Sequence, residues 1–79
     1  MKLNGTPHII TKRKVIWKMT QRLDGTQLAC PADEEPIKRY VIYNPQNKRG
    51  LYKEVGSEMA TIFEDCKDIH EACERALKL

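Results

Sequence analysis

The fold is decided by residues 57–78, SEMATIFEDCKDIHEACERALK. Apolar residues recur there at intervals of three and four, the spacing of one helix face: Met59, Ile62, Phe63, Cys66, Ile69, Cys73, Ala76 and Leu77. Two interpretations fit the segment, and both stay open. One long helix would cover about 58–78, capped by Ser57, whereas a strand at 60–63 would be followed by a shorter helix capped by Asp65 or Asp68. We favour the strand and short helix, because residues 61–63 are β-branched or aromatic and β-branched side chains lose rotamer freedom in a helix.

The run from His8 to Leu23 predicts a strand upstream of this segment. Over residues 12–23 one face carries Val15, Trp17, Met19 and Leu23, and the opposite face carries Lys12, Lys14, Lys18 and Arg22. Alternation with a period of two is typical of a half-buried strand. Asp24-Gly25 then supplies a tight turn.

The middle of the chain predicts a hairpin. Residues 31–36 form a loop with two prolines, and residues 37–43 carry apolar side chains on both faces, as interior strands do. A turn-rich loop at 44–50 leads to the partner strand at 51–55. The sequence therefore predicts one α+β domain over residues 1–79, with a loose or edge-pairing start at 1–7. A small antiparallel sheet of three or four strands would pack on a C-terminal α-helix, with a core of Val15, Trp17, Met19, Val41, Tyr43, Leu51, Ile62, Phe63, Ile69, Cys73, Ala76 and Leu77.

Size and composition exclude several classes of protein. The chain has 79 residues, which is too short for a Rossmann domain or a barrel. Of these residues 41% are hydrophobic and 32% charged, a composition typical of globular proteins. No stretch approaches the roughly 18 apolar residues of a membrane span, and residues 1–14 lack the apolar core of a secretory signal. Three widely spaced cysteines do not form a disulfide framework, so we expect a cytoplasmic protein.

Charge is divided unevenly along the chain. Residues 1–53 hold eleven Lys or Arg and four acids, a net +7, whereas residues 54–79 have a net charge of −4. This division predicts one basic and one acidic surface, as in an interaction module.

The sequence signals for a metal site, a nucleophilic cysteine or a phosphate-binding loop are weak. Cys66, His70 and Cys73 would share one face of a continuous helix, with Cys30 as a fourth zinc ligand, but the close ligand pairs of structural zinc sites are missing. Acids around Cys66 would raise the pKa of its thiol and oppose nucleophilic use. The four glycines are scattered, so no phosphate-binding loop is present. We therefore expect no enzyme activity, no catalytic residues, no metal and no cofactor.

The second half of the chain resembles small phage and prophage accessory proteins. The layout that carries the resemblance is the RYVIYNPQNKRGLYK hairpin at 39–53, then Ala60, Phe63, the capping residue Asp65, and a helix with Ala72 and Ala76. The resemblance covers residues 39–79 and brings no catalytic motif. It implies a mobile-element protein that acts on a host factor.

These observations predict a non-enzymatic protein-binding module that inhibits or modulates a host nucleic-acid-handling or defence complex. The partner would be a host protein or protein–nucleic acid complex and not a membrane, and the chain would be a monomer or a homodimer. Partner binding would use an acidic helix face of Glu64, Asp68, Glu71 and Glu74, or a basic strand face of Lys12, Lys14, Lys18, Arg22, Lys48 and Arg49. The alternative is a nucleic-acid-binding protein that uses the basic sheet face, with Tyr40, Tyr43, Tyr52 and Trp17 available to stack on bases.

Overall fold

The computed structural model describes residues 8–79, so the predicted irregular start at 1–7 lies outside the described residues. The elements are β1 (His8–Ile10), β2 (Ile16–Gln21), β3 (Gln27–Pro31), β4 (Arg39–Asn44), β5 (Arg49–Glu54), β6 (Ala60–Phe63) and α1 (Ile69–Leu77). All six strands pair antiparallel with their sequence neighbours, in the order β1-β2-β3-β4-β5-β6. The α+β class and the C-terminal helix are confirmed. The sheet has six strands, so the prediction of three or four was wrong.

Short hairpin turns set the register of the meander. Gly25 takes a left-handed φ of 93°, and Asp24 Oδ1 accepts hydrogen bonds from the backbone N–H and hydroxyl of Thr26, so the predicted Asp24-Gly25 turn is confirmed. In the β4–β5 turn, Asn44 Oδ1 accepts from the Gln46 N–H and Asn47 Oδ1 from the Arg49 N–H. Polar side chains thus replace the ladder partners that the turn backbone lacks.

The segment at 57–78 is a strand followed by a short helix, which confirms the interpretation we favoured. Asp68 is the N-cap of α1, and its Oδ1 accepts the Glu71 N–H at 2.9 Å. Glu71 Oε1 accepts the Lys67 N–H in return, one residue before the position that a capping box uses. Asp65, the other capping candidate, lies in the connection with a left-handed φ of 60°.

The helix covers one face of the sheet, and the core lies between them. The buried apolar residues are Trp17, Ala29, Val41, Tyr43, Phe63, Cys66, Ile69, Ala72, Cys73 and Ala76. The connection before the helix is fixed by Cys66, whose N–H donates to the Lys48 carbonyl and whose carbonyl accepts the Tyr43 hydroxyl at 2.6 Å. Val15, Met19 and Leu77 are half-buried against this core.

Two predicted core residues, Leu51 and Ile62, lie instead on the sheet face opposite α1. Leu23, predicted on the apolar face of the strand, is 93% exposed in the β2–β3 turn. The predicted strand at 8–23 is also wrong in its extent, because residues 11–15 turn the chain between β1 and β2. Lys14 adopts a left-handed φ of 61° there, a conformation that its residue type does not signal.

α1 has nine residues and is too short to cross a membrane, and it is the sole helix in the described part of the chain.

Replacing Gly50 should destabilise the fold. A Cβ at Gly50 would lie 2.9 Å from the Ala72 Cβ, so Gly50→Ala should lower the free energy of unfolding by about 1–3 kcal/mol in urea titrations. Ala72→Gly alone should cost about 1 kcal/mol in helix propensity. The double variant should lose less than the sum of the two single losses. Additive losses would contradict a steric contact between the two positions.

Candidate functional site: the open face of the sheet

The face of the sheet opposite α1, here called the open face, carries four aliphatic side chains in a line. Leu28 pairs with Ile42, Ile42 with Leu51, and Leu51 with Ile62, on the adjacent strands β3, β4, β5 and β6. We call these four residues the aliphatic row. Directly paired side chains are close neighbours, and strands lie about 4.8 Å apart, so the row is about 14 Å long. Ile62 is 52% exposed and the other three are half-buried.

Basic side chains flank the aliphatic row on both sides. Lys53 pairs with Tyr40 and lies two residues along β5 from Leu51, while Lys18 occupies the same side of the row on β2. Arg49 lies two residues from Leu51 in the other direction, opposite Asn44. Residues two apart on a strand are about 6.6 Å apart, so cations border the row at about that distance. Arg49 is itself 3.9 Å from Glu64 at the edge of the face.

A concave cleft lies at the β3 end of the aliphatic row. It has a volume of about 620 Å³, and its walls are the strand residues Lys18, Leu28 and Cys30 and the loop that joins β3 to β4, including Glu35 and Ile37. Ile37 is 46% exposed, so the apolar surface extends from the row into the cleft. Its walls combine apolar groups with the charged side chains of Lys18, Glu34 and Glu35, and its volume would admit one anchoring side chain of a binding partner.

Cys30 is the most accessible of the three thiols. It is partly exposed in the cleft, whereas Cys66 and Cys73 are buried in the core. Burial raises the pKa of Cys30, and the nearby Lys18 ammonium opposes that shift. Burial also raises the pKa of Cys66, and raises that of Cys73 to about 12. Burial therefore disfavours the thiolate at all three positions.

The predicted basic strand face is not assembled on one strand. Of its members, Lys18 projects from the open face of β2 and Arg49 from β5. Lys12 and Lys14 lie in the β1–β2 turn and Arg22 in the β2–β3 turn, while Lys48 belongs to the β4–β5 turn. The sequence prediction applies one alternating pattern to residues 12–23. In the structure a turn lies at each end of β2, and the alternation of a strand does not continue through a turn.

The predicted acidic helix face is also divided, because α1 begins at Ile69. Glu64 lies in the connection, and Asp68 caps the helix. Glu71 accepts from the Lys67 N–H and from Arg75 at 3.0 Å, and the Lys67 hydrogen bond is the main reason that its pKa is lowered. Glu74 is 4.0 Å from His70. These carboxylates therefore have intramolecular partners, which a docking protein would have to replace.

Cys66, His70 and Cys73 do not share one helix as the zinc hypothesis requires. Cys66 precedes α1, and the His70 Nε2–H donates to the Ile10 carbonyl at 2.7 Å, so the ring ties the helix to β1. Within residues 8–79, no cluster of three or more His, Cys, Asp or Glu side chains could hold a metal ion.

The aromatic residues proposed for base stacking lie mostly on the covered side of the sheet. Trp17 is fully buried, with the Arg39 guanidinium 5.7 Å from its ring centroid. Tyr43 is in the core, and Tyr52 packs against it. Of the four candidates, Tyr40 alone shares the open face with the aliphatic row.

Searches of family models, of curated proteins and of solved structures find no match for this chain. Function is therefore inferred from the surface of the chain itself. The aliphatic row was missed from sequence, because Leu51 and Ile62 were assigned to the core. The available signal was the run Tyr40–Tyr43, whose apolar side chains on both faces require a second apolar surface on the sheet.

Asp68 should act mainly as a helix cap. Asp68→Ala should lower the free energy of unfolding by about 0.5–2 kcal/mol in urea titrations, because the Glu71 N–H loses its acceptor. Asp68→Asn keeps an acceptor oxygen and should stay near the wild type. Equal losses in both variants would show that the charge, and not the hydrogen bond, is what stabilises the helix.

One thiol should react rapidly in the native protein. At pH 8, Ellman's reagent should titrate Cys30 first, and all three cysteines should react once urea unfolds the chain. Cys30→Ser should remove the rapid phase. Rapid reaction of two or more thiols in the native state would contradict the burial of Cys66 and Cys73.

Proposed function

We propose that this protein is a non-enzymatic protein-binding module that engages its partner through the open face of the sheet. The observation that carries the proposal is the aliphatic row, four paired apolar side chains on a face that α1 does not cover. Contiguous apolar surface marks interaction sites more often than singly scattered apolar residues do, and the row joins Ile62 to three partly exposed neighbours. The adjoining cleft supplies an anchoring pocket.

The open face suits a protein better than a nucleic acid. Single-stranded nucleic acids are held by aromatic stacking along a continuous basic path. Here Trp17 and Tyr43 are buried, and the centre of the face is aliphatic. Lys12 and Lys14 lie in a turn, apart from Lys18. The nucleic-acid alternative therefore becomes an outcome of the test below.

The layout resemblance of residues 39–79 to phage accessory proteins supports a more specific role. We propose a mobile-element protein that inhibits or modulates a host nucleic-acid-handling or defence complex. A rigid binding face on a small domain suits such a role, because an inhibitor needs only to occupy a surface that the host complex uses.

Selection from a random 16-residue peptide display library should yield binders that depend on the aliphatic row. Leu51→Gln/Ile62→Gln should weaken the binding of selected peptides at least tenfold in fluorescence anisotropy, because apolar contact area is lost. Leu23→Gln/Val55→Gln is the matched control, since both residues are exposed aliphatics away from the row, at 93% and 59% exposure. This control should bind like the wild type.

Two outcomes would contradict the proposal. One is the absence of any peptide whose binding distinguishes the row variant from the control. The other is a gel mobility shift with single-stranded DNA or RNA at low salt that disappears when Lys12, Lys14, Lys18 and Arg22 are changed to glutamine but persists in the row variant.

A further inference from the structure

We infer that the occupant of the open face is an amphipathic α-helix with acidic residues along both sides of its apolar stripe, lying along the aliphatic row. This inference rests on the proposed function and names the chemistry of the partner. It follows from the spacing of the row, from the charges that flank it, and from the position of the cleft.

The spacing of the aliphatic row matches the repeat of a helix. Its side chains recur about every 4.8 Å, the distance between strands. A helix turn rises about 5.4 Å, so side chains at i, i+4, i+7 and i+11 would contact successive members of the row. An extended peptide repeats each face about every 6.6 Å and would lose this correspondence within two steps. About three helical turns would therefore cover the row from Leu28 to Ile62.

The charges beside the aliphatic row favour acidic flanks on that helix. Lys18 and Lys53 border one side, and Arg49 borders the other. Three acids lie beside the face: Glu64 is paired with Arg49 at the β6 edge, Glu34 is paired with Arg39, and Glu35 lines the cleft. A helix with Glu or Asp on both sides of its apolar stripe would thus meet Lys18 and Lys53 on one side and, on the other, Arg49, which it would share with Glu64.

A second copy of this chain fits the open face less well. If two open faces packed together, Lys18, Lys53 and Arg49 of one copy would approach the same cations of the other, and like charges in apposition oppose association. The apolar area could be buried, but these charges would have to be displaced or desolvated.

The cleft gives the bound helix a direction and an anchor. It adjoins Leu28 at one end of the row, and its loop wall contributes the exposed Ile37. A bulky apolar residue at that end of the helix would enter the cleft. Lys18 and Glu35 both line the cleft, so the anchoring residue should be apolar and the acids of the helix should lie beside Lys18, Lys53 and Arg49.

A focused display library tests the charge preference. Helices on a folded three-helix scaffold carry leucine at i, i+4, i+7 and i+11, and their flanking positions are drawn equally from Glu, Gln and Lys. Selection on the wild-type protein should enrich Glu at the flanks. Raising the salt concentration from 50 to 500 mM should weaken the selected helices about tenfold or more, because the flanking charges are exposed.

Charge reversal on the open face should switch this preference. Selection on Lys18→Glu/Lys53→Glu should enrich Lys in place of Glu on the side of the helix that faces these residues. The matched control is Lys12→Glu/Lys67→Glu, which makes the same change in net charge at the β1–β2 turn and before α1, and it should still select Glu. A switch in the first variant and none in the control would support the inference.

The possible failures separate the inference from the proposed function. Row-dependent helices without Glu enrichment, or row-dependent binders from the random library with no helical binder, would overturn the inference and leave a protein-binding open face. A dimer in sedimentation velocity that Leu51→Gln/Ile62→Gln dissociates would replace the helix with a second copy. Failure of both libraries to yield a row-dependent binder would overturn the proposed function itself.

Discussion

The close approach of Gly50 to Ala72 sets the distance between the helix and the sheet. A single added methyl group at Gly50 would lie 2.9 Å from the Ala72 Cβ, so no larger residue fits at that contact without movement. Ala72, Cys73 and Ala76 present small side chains to β4 and β5, and this close seating lets Phe63 and Tyr43 fill the space beside the helix. A helix of nine residues can therefore complete the core of a six-stranded sheet.

Within residues 8–79 nothing covers the second face of the sheet. One short helix covers one face, and the meander of sequential strands in this range brings no further element to the other. The same residue alternation that buries Val41 and Tyr43 directs Ile42 outward, and the register then aligns Ile42 with Leu28, Leu51 and Ile62. The acids near the helix are occupied by Arg75, the Lys67 N–H and the cap of α1, whereas Lys18 and Lys53 remain on the open face. The aliphatic row on the open face is thus a direct consequence of how the core is made.

Local signals predicted the elements that depend on neighbouring residues. The sequence predicts the strand at 60–63, the Asp24-Gly25 turn and the 39–53 hairpin, and it narrows the helix cap to Asp65 or Asp68, because each of these depends on side chains within a few positions of one another. The β1–β2 turn was not identified. Its left-handed residue is Lys14, whereas sequence signals for such turns rely on glycine, asparagine or aspartate. That omission placed Lys12, Lys14, Lys18 and Arg22 on one strand and created a basic face that the fold does not contain.

The sequence by itself determined the α+β class, the C-terminal helix, the uneven charge and most of the buried core, because burial and capping follow from residue type and spacing. Tertiary structure alone decided which side of each strand is covered. In β6 the neighbours Ile62 and Phe63 are both apolar, and alternation shows only that they face opposite ways. Phe63 faces the helix because it pairs with Gly50, where the missing side chain makes room for α1, and Ile62 is thereby left on the open face. That choice depends on a contact between distant parts of the chain, and it places two predicted core residues, Leu51 and Ile62, on the open face.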